Sequence, residues 1–143
     1  GMNGAELSVY LNKKGGFLGV SGVSSDCRDL EIAAEEGNDR AALTLEMLVY
    51  QIQKFIGSYT AAMNGLDCIV FTGGIGENSA STRAKVCEGL GWFGVEIDAE
   101  QNAKRGLAVN DITGANGKVK VLVVQTNEEL MIARDTKRVA FGE

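Results

Sequence analysis

The residues able to do chemistry fall in three places. The first is Leu66-Asp67-Cys68-Ile69-Val70-Phe71-Thr72-Gly73-Gly74-Ile75-Gly76-Glu77-Asn78-Ser79. Cys68 to Phe71 is an unbroken apolar run, the pattern of a strand covered on both faces. Gly73, Gly74 and Gly76 then let the backbone adopt conformations that a side chain would forbid, and Asn78 or Ser79 can cap a following helix. Such a loop presents bare backbone N–H groups beside a helix N-terminus, which attracts anions or a closely approaching ligand. It lacks the Gly-Lys-Ser/Thr ending of a Walker loop. Ser79 stands where a dinucleotide fingerprint needs its third glycine. A ligand-free strand-to-helix turn fits the spacing as well as a phosphate or nucleotide site does.

The second place is Ser24-Ser25-Asp26-Cys27-Arg28-Asp29. Ser25 or Asp26 suits the N-cap of a helix through Leu30, Ile32, Ala33 and Ala34 that Gly37 ends. Spacing favours Arg28 as a solvated surface charge over Arg28 at a polar ligand. The third place is Thr126-Asn127-Glu128-Glu129. Thr126 with Glu129 three residues on reads as a capping box, which leaves Glu128 with no local task. The helix dipole favours a first-turn acid by only about 0.3–1 kcal/mol, so position alone says little about function.

Composition removes several classes of function. The chain has no histidine, so imidazole chemistry, including a Ser-His-Asp hydrolase, is excluded within it. Cys27, Cys68 and Cys87 are odd in number and far apart, neither a disulfide framework nor a zinc site. Cys68 reads as a small core residue, and free thiols fit a reducing cytoplasm. The net charge of −5 comes without a basic cluster, which argues against nucleic-acid or anionic-membrane binding. No apolar run approaches the roughly 20 residues of a membrane span, and no secretory signal leads the chain. At 143 residues the chain suffices for one domain that buries roughly 70% of its unfolded surface.

Several elements must position these residues. Leu7, Tyr10 and Leu11 predict a short helix over 5–12. Phe17 to Val23 is a glycine-punctuated apolar stretch, a short strand or a packed loop. Asn38 or Asp39 caps the longest helix, which runs to about Met63 and is stopped by Asn64-Gly65. Its stripe of Leu45, Leu48, Val49, Ile52, Phe55, Ile56 and Tyr59 is predicted core. Met47 and Tyr50 lie off that stripe. A helix over 80–90 carries Ala84, Val86, Cys87 and Leu90 inward. Trp92 and Phe93 are expected in the core. Val95 to Asp98 alternates like a short strand, Ala99 to Gly106 is a polar helical turn, and Gly114 to Lys118 is a turn. Val119 to Val124 is a second apolar strand. Two strand-to-helix units with a long helix between strands predict an α/β domain with helices covering a sheet. No domain boundary is evident.

These motifs carry a family resemblance. Leu11-Asn12-Lys13-Lys14, Ser24 to Asp29, Phe71 to Ser79 and Thr126-Asn127-Glu128-Glu129-Leu130 occur in this order and at similar spacing in acetate kinases. The likeness covers essentially the whole chain, and the glycine loop is its most specific part. Propionate kinases share the motifs. The resemblance implies an RNase-H-like domain of the actin, Hsp70 and sugar-kinase superfold, with a mixed sheet flanked by helices. It implies that residues 1–143 form the C-terminal nucleotide-binding domain of a longer two-domain enzyme. That enzyme passes the γ-phosphoryl of ATP, with Mg²⁺, to acetate, giving acetyl phosphate and ADP. By resemblance Asp26, Cys27 and Arg28 lie beside the adenosine, which reverses the preference for Arg28 as a mere surface charge. Gly74, Ile75, Gly76, Glu77 and Asn78 form the nucleotide loop, and Glu128 is a magnesium ligand. The family's catalytic arginines, histidine and aspartate and its acetate pocket belong to the upstream portion and have no counterparts here. The family also dimerises through its C-terminal domain, which draws attention to Met47 and Tyr50. Two readings compete with an acetate kinase portion: a non-catalytic nucleotide-binding or dimerisation module, and a structural fragment that binds nothing.

Overall fold

The computed structural model describes residues 1–142. The chain divides into two compact units, Gly1–Gly65 and a second that begins at Leu66. The sequence marks this boundary only by Asn64-Gly65, which it presents as a helix stop. Asn64 is the one non-glycine residue with positive φ among the described residues, at 58°. Asparagine tolerates this left-handed conformation, which ends the helix.

The first unit is helical: α1 (Gly4–Lys14), α2 (Gly16–Ser21), α3 (Cys27–Glu35) and α4 (Asp39–Met63). Asn3 and Glu6 form a capping box on α1, Asp26 caps α3 and Asn38 caps α4. The stretch over 17–23, expected as strand or loop, is instead α2, closed by Gly22 at φ 68°. Six residues with three apolar side chains are too few for periodicity to separate helix from strand. The core gathers Cys27 and Leu30 from α3 with Ala41, Thr44 and Leu45 from α4. The predicted stripe of α4 is core only in part. Leu48, Val49, Ile52 and Ile56 are half-buried, whereas Phe55 and Tyr59 are exposed. The packing partners α2 and α3 have 6 and 9 residues against the 25 of α4. At 1.5 Å rise per residue they are too short to cover it.

The second unit is built on a mixed three-stranded sheet of β1 (Cys68–Phe71), β2 (Val109–Asp111) and β3 (Lys120–Val124), in the order β1-β3-β2. β1 and β3 run parallel with Ile69 opposite Val121 and Phe71 opposite Val123. β2 pairs antiparallel with β3. The helices are α5 (Gly73–Asn78), α6 (Ala80–Glu88), α7 (Ala99–Ala103) and α8 (Glu128–Phe141), with a 3-10 turn over Gly91–Phe93. Ile69, Phe71, Val121 and Val123 supply the buried face of the sheet, and Val86, Cys87, Leu90, Val95 and Ile112 complete the core.

Three expectations fail here. Cys68 and Val70 are exposed, so β1 is covered on one face, and Cys68 is not a core residue. Trp92 is 77% exposed and stacks on Phe93 with ring centroids 3.6 Å apart. The alternating run over 95–98 makes a single bridge, Ile97 to Thr113, rather than a strand. Its last residue, Asp98, caps α7. No helix among the described residues is long and apolar enough to cross a membrane.

Candidate nucleotide-binding site

The three glycines after β1 have three different physical explanations. Gly73 sits at φ 71°, where an L side chain is strained. A Cβ on Gly76 would lie 3.2 Å from the carbonyl carbon of Phe71, so Gly76 lets α5 pack down on the end of β1. Gly74 has neither reason. Its φ is ordinary, it is exposed, and an added Cβ would meet nothing within 4 Å. Nothing inside the chain requires a glycine there. The backbone at Gly74 is bare toward solvent, which is what close approach by a ligand needs.

The loop differs from its expected form in one respect. Gly73 to Asn78 is itself a short helix, α5, rather than an irregular loop before a helix. Thr72 occupies its N-cap without a side-chain bond. The Gly73 N–H donates to Glu77 Oε1 at 2.8 Å, which takes one amide out of the bare set. The amides of Gly74 and Ile75 lie in the first turn, where no intrahelical carbonyl is available. Asn78 Nδ2 donates back to the Gly74 carbonyl at 2.9 Å. Ser79, not Asn78, caps α6, accepting from the Thr82 N–H at 3.1 Å.

Glu77 joins two loops. Its Oε1 also accepts from the Thr126 N–H at 2.9 Å and from the Thr126 hydroxyl at 2.7 Å. The two Thr126 donors, and then the Gly73 amide, hold the Glu77 carboxyl below the usual carboxylate range. Thr126 is therefore not the helix cap. Asn127 caps α8, its side chain accepting from the Leu130 N–H at 3.1 Å. The predicted capping box fails because the Thr126 hydroxyl is committed to a residue 49 positions away. Glu128 is the first residue of α8, and it and Glu129 are both exposed.

α5 is held from behind by a buried cation. Arg83 is 1% exposed. Its Nη1 donates to the carbonyls of Gly76 at 2.8 Å and Glu77 at 2.9 Å. Its Nε and Nη2 donate to Asn102 Oδ1 at 2.7 Å and the Asn102 carbonyl at 2.6 Å. Burial pulls the Arg83 pKa down, as desolvation does for any cation. A positive charge on the last carbonyls of α5 also suits the helix dipole.

In the first unit, Asp26 and Arg28 form an exposed two-point pair. Arg28 Nη2 donates to Asp26 Oδ2 at 2.6 Å and Nε to Oδ1 at 3.1 Å. The Arg28 side chain, then its backbone N–H, holds Asp26 at about 2. The Cys27 side chain is buried and its thiol is pushed up by that burial.

The match to known proteins follows the same stretch of chain. A model of the acetokinase family matches residues 1–134. The chain belongs to this family. An acetate kinase of Heliobacterium modesticaldum is 54% identical over 142 residues, 99% of this chain and 35% of that protein. The crystal structure of Porphyromonas gingivalis acetate kinase superposes with a TM-score of 0.85 at 47% identity, covering 97% of this chain and 35% of its own. The structure of a propionate kinase from Francisella tularensis gives a TM-score of 0.82 at 36% identity, covering 94% of this chain and 34% of its own. The chain thus spans about a third of the length of these acetokinase relatives. The α/β fold with a small mixed sheet flanked by helices is shared with the solved acetate kinase.

Two residues of the candidate site escape a reading of sequence alone. Thr126 is hidden by a pattern that mimics a cap. Arg83 does leave a signal: positions 83, 86, 87 and 90 lie on one helical stripe with Val86, Cys87 and Leu90. An arginine on an apolar stripe is either misplaced or bonded to buried acceptors. Among the described residues no group of three or more histidine, cysteine, aspartate or glutamate side chains gathers to hold a metal. The donor set for Mg²⁺ would be Glu128 alone. That fits a cation bound through one or two carboxylates, waters and substrate phosphates.

Proposed function

We propose that this chain is the nucleotide-binding portion of an acetate kinase, acting in phosphoryl transfer from ATP to acetate to give acetyl phosphate and ADP. Similarity at 54% identity to proteins named acetate kinase supports the reaction. Gly74, bare toward solvent with no internal need for a glycine, is the observation that carries the nucleotide site. Gly74, Ile75, Gly76, Glu77 and Asn78 form the nucleotide loop, the first-turn amides of α5 facing the phosphates. Asp26, Cys27 and Arg28 are the proposed adenosine contacts, Arg28 held in place by Asp26. Glu128 would hold Mg²⁺, and that ion, when bound, neutralises charge on the transferring phosphoryl group. The acetate pocket and the acid–base and arginine chemistry lie in the rest of the family's longer chain. A second copy of the chain is the proposed partner, with exposed Met47 and Tyr50 as candidate contacts, and the site of action is cytoplasmic.

Two measurements test this reading. Calorimetric titration of the purified 143-residue chain gives saturable heat with ATP. A hydroxamate assay of the same protein gives no acetyl phosphate from acetate, and no acyl phosphate from propionate. Absence of ATP binding rejects the nucleotide site. Robust turnover by this chain alone rejects the division of labour.

The loop itself gives a sharper expectation. Gly74→Val puts a branched side chain into space that the protein leaves open. Valine is no worse than glycine in a helix, so thermal stability should stay within about 1 kcal/mol of the parent. ATP affinity should fall at least tenfold, about 1.4 kcal/mol. Titration of both proteins, with circular dichroism to check the fold, decides; equal affinities would remove Gly74 from the site.

A further inference from the structure

We infer that the Glu77 carboxylate is a positioning tether that locks the segment bearing Glu128 to the glycine loop, so that nucleotide and metal are bound as one unit. The inference rests on the nucleotide site proposed above. It starts from topology. β1 and β3 are adjacent parallel strands, so the segments that leave their carboxyl ends emerge side by side. In such sheets, ligands collect at those ends. Two flexible segments that must grip one ligand lose affinity to the entropy of ordering them, and preorganisation removes that loss.

The geometry supplies the preorganisation through a single atom. Glu77 Oε1 takes the Gly73 N–H from its own loop and both the N–H and the hydroxyl of Thr126 from the other. Donors to an ionised carboxylate make stronger hydrogen bonds than neutral pairs do. Thr126 is two residues before Glu128, and Asn127 between them caps α8. Fixing Thr126 therefore fixes the start of α8 and the carboxylate it carries. Arg83 Nη1 holds the carbonyls of Gly76 and Glu77, which restrains the Glu77 backbone from following if the Thr126 segment drifts. With Oε1 committed to three donors, Glu77 acts on bound nucleotide through the loops that this oxygen joins.

The test uses the whole 143-residue chain with Glu77→Gln, Thr126→Val and Thr126→Ser. Glutamine keeps the shape and loses the charge; valine removes only the hydroxyl; serine keeps it. Amide hydrogen exchange without ligand reads the tether directly. In Glu77→Gln, exchange at Thr126, whose amide Glu77 accepts, and at Leu130, whose amide the Asn127 cap accepts, should quicken at least about tenfold, while α6 keeps its protection. ATP titrations with and without Mg²⁺ read its consequence. Metal-free ATP affinity should change less than about twofold, and the extra affinity conferred by Mg²⁺ should shrink at least about fivefold. Thr126→Val should show the same pattern more weakly, and Thr126→Ser should behave as the parent. A tether that served only the fold would lower metal-free and magnesium-bound affinity alike. Unchanged exchange at Thr126 and Leu130, or an unchanged magnesium increment, overturns the inference. If the parent chain binds no ATP, the nucleotide reading fails, and exchange at Thr126 and Leu130 alone decides whether Glu77 fixes that segment. If Glu77→Gln does not fold, the contrast between the valine and serine variants at Thr126 decides instead.

Discussion

Arg83→Met should cost the second unit about 2–4 kcal/mol of stability, even though methionine fills much of the same space. The guanidinium serves four acceptors: the carbonyls of Gly76, Glu77 and Asn102, and the side-chain oxygen of Asn102. Both Asn102 bonds are fully buried, and those to Gly76 and Glu77 are partly so. Removing the donor leaves all four oxygens in place. Each fully buried oxygen left unpaired costs about 1–3 kcal/mol. Relief of the desolvation that pulls the Arg83 pKa down offsets part of this sum. The offset is incomplete because breaking a buried polar set by deleting one member is the costly direction. For a unit of this size, a loss of that order lowers the melting temperature by roughly 8–30 °C. Arg83→Lys should fall between, since one ammonium cannot span the planar fork that reaches four oxygens. Melting curves by far-ultraviolet circular dichroism measure all three. A methionine variant within about 0.5 kcal/mol of the parent would mean that the acceptors find water or new donors.

Such a set of bonds marks the limit of what local pattern reveals. Helix caps are legible to within one residue, as Ser25 or Asp26, Asn38 or Asp39 and Asn78 or Ser79, because their chemistry is complete within three residues; Asp26, Asn38 and Ser79 take the role. The strands over 68–71 and 120–124 are legible because each is an apolar run of sufficient length. β2 is not, since three residues carry no period. Trp92 and Cys68 were assigned to the core by residue type, and type gives only a statistical preference for burial. Phe55 and Tyr59 lie on a correct helical stripe, yet a stripe says which face is apolar and not how far along it a partner extends. Thr126 shows the most general failure. Thr126 with Glu129 completes a capping box in sequence, yet Asn127, which lacks one because Leu130 stands three residues on, is the residue that caps α8. The choice between them is made by Glu77, beyond the reach of any local rule.

Glu128→Ala, made in a complete acetate kinase carrying this segment, should lower turnover at least about 100-fold and raise the magnesium concentration needed for half-maximal rate. A Lewis-acid cation on a transferring phosphoryl group contributes several kcal/mol, so weakening its protein ligand should show strongly in rate. The competing view is that Glu128 merely complements the helix dipole. Dipole complementation by a first-turn acid is worth about 0.3–1 kcal/mol of stability and leaves metal dependence untouched. The structure supplies an internal control. Asn127 caps α8 without help from Glu129, so Glu128 and Glu129 are both exposed first-turn acids. On the dipole view, alanine at either position has the same small effect on melting and none on kinetics. On the metal view, only Glu128→Ala changes the magnesium profile. Rates against magnesium concentration for both variants separate the views, and two identical profiles would take Glu128 out of the site.

The placement of Trp92 has a spectroscopic consequence. It is the single indole of the chain, it is 77% exposed, and among the described residues its ring neighbour is the adjacent Phe93. Its emission in the native state should already lie close to that of an indole in solution, so denaturation will move the band little. A fluorescence melt would then report an almost flat trace for a protein that is losing its sheet. The same insulation is useful in the opposite sense. A cysteine-reactive dye on exposed Cys68, read by energy transfer from Trp92, would respond to separation within the second unit, because the donor's own environment stays constant.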